Sequence, residues 1–131
     1  MGKWKDGAGT LTTAGPPTAA GTPTAADSLD VPLEIAASYR ARRRGLLGRD
    51  GVPGALLIVR TNSVHTFGMR FPIDVAYLDR SFTVLSVVTM PPGRLGMIRP
   101  RGRHVLEAEA GAMAGWGLRR GVRVCVATDG G

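Results

Sequence analysis

Residues 73–78 alternate between two faces, with Ile73, Val75 and Tyr77 on one and Asp74, Ala76 and Leu78 on the other. A period of two is the mark of a β-strand. Pro72 cannot donate to a strand ladder, so this strand begins at or after it. The position of Asp74 is the sharpest constraint, because it shares a face with apolar neighbours. A buried carboxylate must be paired or hydrogen-bonded, or it takes up a proton. Arg70 is the nearby partner expected for it. Just upstream, His65, Phe67 and Met69 fall in an extended or turning segment that Gly68 loosens.

The rest of the chain divides into similar short pieces. Leu29–Ile35 reads as a strand in an edge or early position, since it contains Pro32. Ser38 is an expected N-cap for a short helix through Leu47, with Tyr39, Leu46 and Leu47 inward and Gly48 ending it. Gly45 inside that helix is expected to serve a close contact. After the turn cluster of residues 50–54, Ala55–Val59 is an apolar run of strand length. Asp79-Arg80-Ser81 is short enough to connect two antiparallel strands, the second over Phe82–Met90.

Residues 91–104 carry Arg94, Arg99, Arg101 and Arg103 among prolines and glycines, and are expected to form a long exposed loop. Strands are expected at Val105–Ala110 and Val122–Ala127, around a short helix over Ala112–Arg120 with Met113 and Trp116 inward. Six strands and two short helices imply an α+β domain, mainly antiparallel, with its sheet curled towards a barrel.

Four blocks carry a resemblance. They are Phe67-Gly68-Met69-Arg70-Phe71-Pro72-Ile73-Asp74, Arg44-Gly45-Leu46-Leu47-Gly48-Arg49, Val105-Leu106-Glu107-Ala108-Glu109-Ala110-Gly111 and Gly121-Val122-Arg123-Val124. Together, over about residues 29–127, the chain resembles the bacterial and archaeal family known as domain of unknown function 192. Leu47 stands where that family usually has Met, and Val122 where it has Asp. The resemblance implies a compact, mostly β domain. It implies no known reaction and supplies no catalytic residues.

The first 28 residues differ from the rest. They are rich in Gly, Ala, Thr and Pro, with almost no large apolar side chain after Leu11, so they are expected to form a disordered tail before a single domain over 29–131. No window approaches the roughly 20 apolar residues of a membrane span, and no continuous apolar stretch near the start suits an export signal. With a single cysteine, Cys125, no intrachain disulfide forms, and a reduced cytoplasmic setting is expected. Cys125 lies in a valine-rich strand and is expected to be a small buried hydrophobe.

Several chemistries compete for the polar residues. His65, Met69 and Cys125 are soft or borderline metal ligands, and His104-x-x-Glu107 adds a second histidine and an acid, but no spacing matches a dedicated metal motif. On a strand, that offset of three puts His104 and Glu107 on opposite faces. A hydrolase-like or metal-binding protein using His65, Asp74 and Glu107 is therefore an alternative and not the main reading.

The net charge of +7 attracts phosphates. Arginine outnumbers lysine 15 to 2, however, and aromatics are only 5%, with no stacking platform interleaved among the charges. Nucleic acid contact is thus expected to be nonspecific, weak and salt-sensitive. The main reading is a small binding or accessory domain with an unknown ligand or protein partner, no cofactor and no membrane association. Its expected site is a concavity flanked by His65, Phe67, Met69, Arg70 and Asp74, with Glu107.

Overall fold

The computed structural model describes residues 4–14 and 30–129. Its strands are β1 (Gly7–Ala14), β2 (Val31–Ala36), β3 (Ala55–Val59), β4 (Ile73–Leu78), β5 (Val84–Met90), β6 (His104–Glu109) and β7 (Arg123–Thr128); its helices are α1 (Tyr39–Arg44) and α2 (Ala112–Gly115). The strands form one mixed sheet in the order β5-β4-β6-β3-β2-β1-β7. Only β2 and β3, joined across α1, run parallel; the other neighbours are antiparallel. At one end the sheet curls back on itself. Val84 N donates to Val122 O at 2.8 Å, Gly121 N to Val84 O at 2.9 Å, and Val124 N to Phe82 O at 2.9 Å, tying the start of β5 to β7. The expected α+β class, the antiparallel majority and the curled, half-barrel sheet are all present.

Both faces of the sheet carry apolar side chains, so the central strands are continuous apolar runs. Every residue of β3 and of β4 is buried. Leu11, Leu33, Leu57, Leu78, Leu106 and Val124 belong to one cluster, with Met113 of α2 packed into it. The opposite cluster holds Leu56, Ile58, Ile73, Val75, Tyr77 and Val105, beneath Leu46, Val64 and Met69 from the connecting segments. Each such buried Leu or Ile is worth about 1.5–3 kcal/mol. Gly54 sits at a φ of 71°, and a Cβ there would collide with the Pro32 carbonyl, so the entry into β3 requires glycine.

Five expectations are corrected. Residues 7–14 are not a tail but strand β1, paired with β2 on one side and β7 on the other. A strand poor in apolar residues holds this place because two neighbours satisfy its backbone, while Leu11 is fully buried. Asp6 adds an anchor: its Oδ1 accepts from Ala37 N at 2.6 Å and Ser38 N at 2.8 Å, and its Oδ2 from Ser38 Oγ at 2.6 Å. These bonds lower the Asp6 pKa, the Ser38 hydroxyl most of all. Residues 1–3 and 15–28 of the expected tail lie outside the described residues.

Helix α1 stops at Gly45, not Gly48, because Gly45 turns to a φ of 50°. A Cβ at Gly45 would make only ordinary contacts, so the backbone turn and not a close approach is what calls for glycine there. Tyr39, expected inward, is 69% exposed, since the short helix turns its first residue to solvent. Cys125 is exposed as well: β7 packs its Val124 and Val126 side inward and turns the alternate side outward. Ser38 does cap α1, accepting from Ala41 N at 3.1 Å.

Candidate functional site

Strand β6 lies between β4 and β3, and Glu107 stands opposite Val75 on one and Leu56 on the other. Its carboxyl is therefore set among apolar neighbours, and only 5% of the residue is exposed. Desolvation raises its pKa from the ordinary 4.5 to about 7. The side chain lies at a narrow cleft of about 60 Å³, which is also lined by His65, Met69, Leu47 and the arginines Arg42, Arg43 and Arg44.

The cleft is roofed by connections, not by regular structure. Thr66, fully buried, ties the segment before β4 to the long loop after β5. Its Oγ1 donates to Pro91 O at 2.7 Å and accepts from Arg94 N at 2.8 Å, while its N donates to Arg94 O at 2.7 Å. An isolated bridge between His65 and Leu95 adds to this junction. Met69 is buried under the roof, and its N donates to Thr66 O at 3.1 Å. The ring of His65 stacks on Phe67 with centroids 5.3 Å apart and planes 22° from parallel. Arg42 is partly committed, donating from Nη1 to Arg60 O at 3.2 Å, and its Nε is buried without a partner among the described residues. Arg43 and Arg44 are exposed at the rim.

The expected site is thus divided. His65, Met69 and Glu107 share the cleft, with Phe67 beside it, half exposed and stacked on His65. Arg70 does not meet Asp74; it is exposed and pairs with Asp50 at 3.2 Å. Asp74 faces the other side of the sheet, where it accepts from Thr89 Oγ1 at 2.6 Å, Gly111 N at 2.9 Å and Met113 N at 3.2 Å. These bonds cap the start of α2, whose own N-cap position is Gly111 and offers no side chain. Because Asp74 and Glu107 lie on opposite faces, no pairing of their carboxyls in one hydrolytic or metal site is available.

His104 and Glu107 also fall on opposite faces, as their spacing on a strand requires. His104 stacks on Phe82 at 4.7 Å, and its Nδ1 accepts from Arg60 N at 3.1 Å. Burial first, then the Arg60 and Arg103 charges, lowers its pKa. Among the described residues, no three His, Cys, Asp or Glu side chains gather in a metal-holding group.

The rim arginines and Thr66 were missed as site residues in the sequence. Arg44-Gly45-Leu46-Leu47 is one of the four motif blocks, and that was the available signal. Tyr77 was read only as a strand residue on the face of Ile73 and Val75, yet its hydroxyl is buried without a partner among the described residues. Arg99 Cζ lies 5.2 Å from its ring centroid. Desolvation raises the Tyr77 pKa.

Comparison with known proteins agrees with this architecture. A family model described as Uncharacterized ACR, domain of unknown function 192, matches residues 22–126. The UPF0127 protein PH1112 of Pyrococcus horikoshii is 33% identical over 84 residues, covering 60% of this chain and 73% of that protein. The UPF0127 protein PYRAB11210 of Pyrococcus abyssi is 34% identical over 86 residues, covering 60% and 72%. Among solved structures, a candidate transcription regulator from Sinorhizobium meliloti superposes with a TM-score of 0.73 at 20% identity, covering 95% of this chain and 98% of the other. A protein of unknown function from Novosphingobium aromaticivorans gives 0.70 at 16% identity, covering 88% and 83%. At such identities the two structures establish likeness of fold alone.

Proposed function

The chain belongs to the domain of unknown function 192 family, and on that premise we propose that it is a small ligand-binding domain whose site is the cleft over Glu107. The observation that carries this reading is a buried carboxyl, set between Val75 and Leu56, at a cleft that also reaches three arginines. A core position does not need a carboxyl there, and an apolar side chain would avoid its desolvation cost. The cleft itself admits only a few atoms, so a ligand places one polar group inside and keeps its body at the rim. Arg43 and Arg44 favour a negatively charged group at that rim.

Glu107 contributes a hydrogen-bond donor while it holds its proton. With its pKa near 7, it does so at and below neutral pH. Small organic acids fit this combination, with an anionic end on the arginines and an acceptor oxygen towards Glu107. His65 and Met69 line the remaining wall.

Acetate, fully ionised at both values, serves as the probe in thermal-shift and calorimetric titrations at pH 6 and pH 8. Binding is expected at pH 6 and is weakened at pH 8 in the wild type. Glu107→Gln keeps a neutral donor and is expected to bind equally at both values. If acetate does not bind, or if the variant and wild type share one pH profile, the reading fails.

A further inference from the structure

The curl of the sheet leaves an open seam. Strand β5 pairs with β4 along one side, whereas on its other side the described residues pair with it only at its start, through the bonds between Phe82, Val84 and residues 121–124. Beyond Val84 the two ends of the sheet diverge. A groove of about 710 Å³ opens there, between Leu85–Val87 of β5, Arg99–Arg101 of the long loop and Leu118–Arg120 before β7. It shares no lining residue with the cleft over Glu107.

Three features of the groove bear on its occupant. Val87 and Leu118, which belong to the same apolar cluster, provide an apolar floor, and Leu118 is buried. Arg99, Arg101, Arg119 and Arg120 surround it with no acidic side chain in the lining, and the last three of these are exposed. The Ser86 hydroxyl and the Arg99 Nε, both in lining residues, are buried with no hydrogen-bond partner among the described residues. Buried polar groups are ordinarily satisfied, and an unpaired strand edge is a template for another chain.

We propose that this seam receives an extended acidic peptide segment of a partner protein, which adds to β5 as a further strand. Main-chain bonds to the edge of β5 that the described residues leave unpaired hold the segment in register, and alternate side chains turn towards the apolar floor. Carboxylates on the segment pair with Arg101, Arg119 and Arg120 across the rim. The chemistry favours a peptide over a single-stranded nucleic acid, because no aromatic side chain lines the groove for a base to stack on.

The test uses the full chain and a labelled seven-residue peptide alternating Glu and Val. Two probes accompany it: the same peptide N-methylated at alternate amides, and an oligothymidylate of equal charge. Fluorescence anisotropy is expected to show binding of the unmodified peptide. It is also expected to show a loss of about tenfold or more in Arg119→Glu/Arg120→Glu, where both side chains are exposed and the thermal midpoint serves as a check on folding. Amide exchange within Ser86–Met90 is expected to slow in the complex, and N-methylation to abolish binding. Three results would each overturn the proposal: no binding of the acidic peptide, equal binding of the N-methylated form, or oligothymidylate binding as tight as the peptide. The first would leave the edge without an acidic partner, and the other two would reduce the groove to a nonspecific anion surface.

Discussion

Asp74 and Glu107 stand on the adjacent antiparallel strands β4 and β6, one register step apart, with their carboxyls on opposite faces of the sheet. Asp74 is opposite Ala108, and Glu107 is opposite Val75. Three donors hold the Asp74 carboxyl in place at the start of α2. Glu107 has Leu56 and Val75 for strand neighbours and a desolvated carboxyl at a cleft. One acid thereby builds the fold, and the other is the one we propose for the ligand site.

Glu107 makes stability depend on pH. Below about 4.5, both the folded and unfolded chains carry the proton; between that value and about 7, only the folded chain keeps it. The folded chain therefore loses stability as pH rises across that window, by about 1.4 kcal/mol per unit and on the order of 3 kcal/mol in all. Urea unfolding of Glu107→Gln should lack this decline and gain on the wild type between pH 5 and pH 8. Parallel profiles would show that the carboxyl is solvated.

His104 acts in the opposite sense. Its pKa is lowered in the folded chain, so stability is present above its ordinary 6.5 and is lost as pH falls below that value towards the folded one. In the wild type the Glu107 effect opposes this loss. In Glu107→Gln, unfolding free energy should therefore fall as the solution is acidified from pH 7.5 to pH 5. Adding His104→Gln should remove that slope; its persistence would assign the effect to another group.

Asp74 and His65 should separate structure from site. Asp74→Ala leaves the Gly111 and Met113 amides without their acceptor and should cost about 1–3 kcal/mol in denaturant unfolding. His65 is exposed, so His65→Ala should cost about 1 kcal/mol or less. A larger loss at His65 would make its stacking on Phe67 structural and remove it from the ligand site.

Deleting residues 1–14 should destabilise the domain. The deletion removes β1 from between β2 and β7, the buried Leu11, the Asp6 anchor and Trp4, whose ring lies 5.8 Å from that of Phe82. Leu11→Ala alone should cost about 2–5 kcal/mol. An unchanged urea midpoint in the shortened chain would show that β1 contributes nothing to stability.

The sequence by itself determined six of the seven strands, both short helices, the turn between β4 and β5, and the family. These follow from local signals: period-two alternation, the Ser38 cap, proline and glycine punctuation, and short motifs. It also named His65, Met69 and Glu107, whose polar and soft side chains stood out beside apolar runs. Tertiary structure decided the rest. Strand β1 was hidden because its place depends on backbone bonds to two distant strands and hardly on its own side chains. Asp74 was grouped with His65 because they are near in sequence, whereas facing is set by strand register, and a single residue step reverses it. Arg70 found Asp50 and not Asp74 for the same reason: which charges meet depends on how the connections cross the sheet, and that geometry is fixed only when both faces are packed.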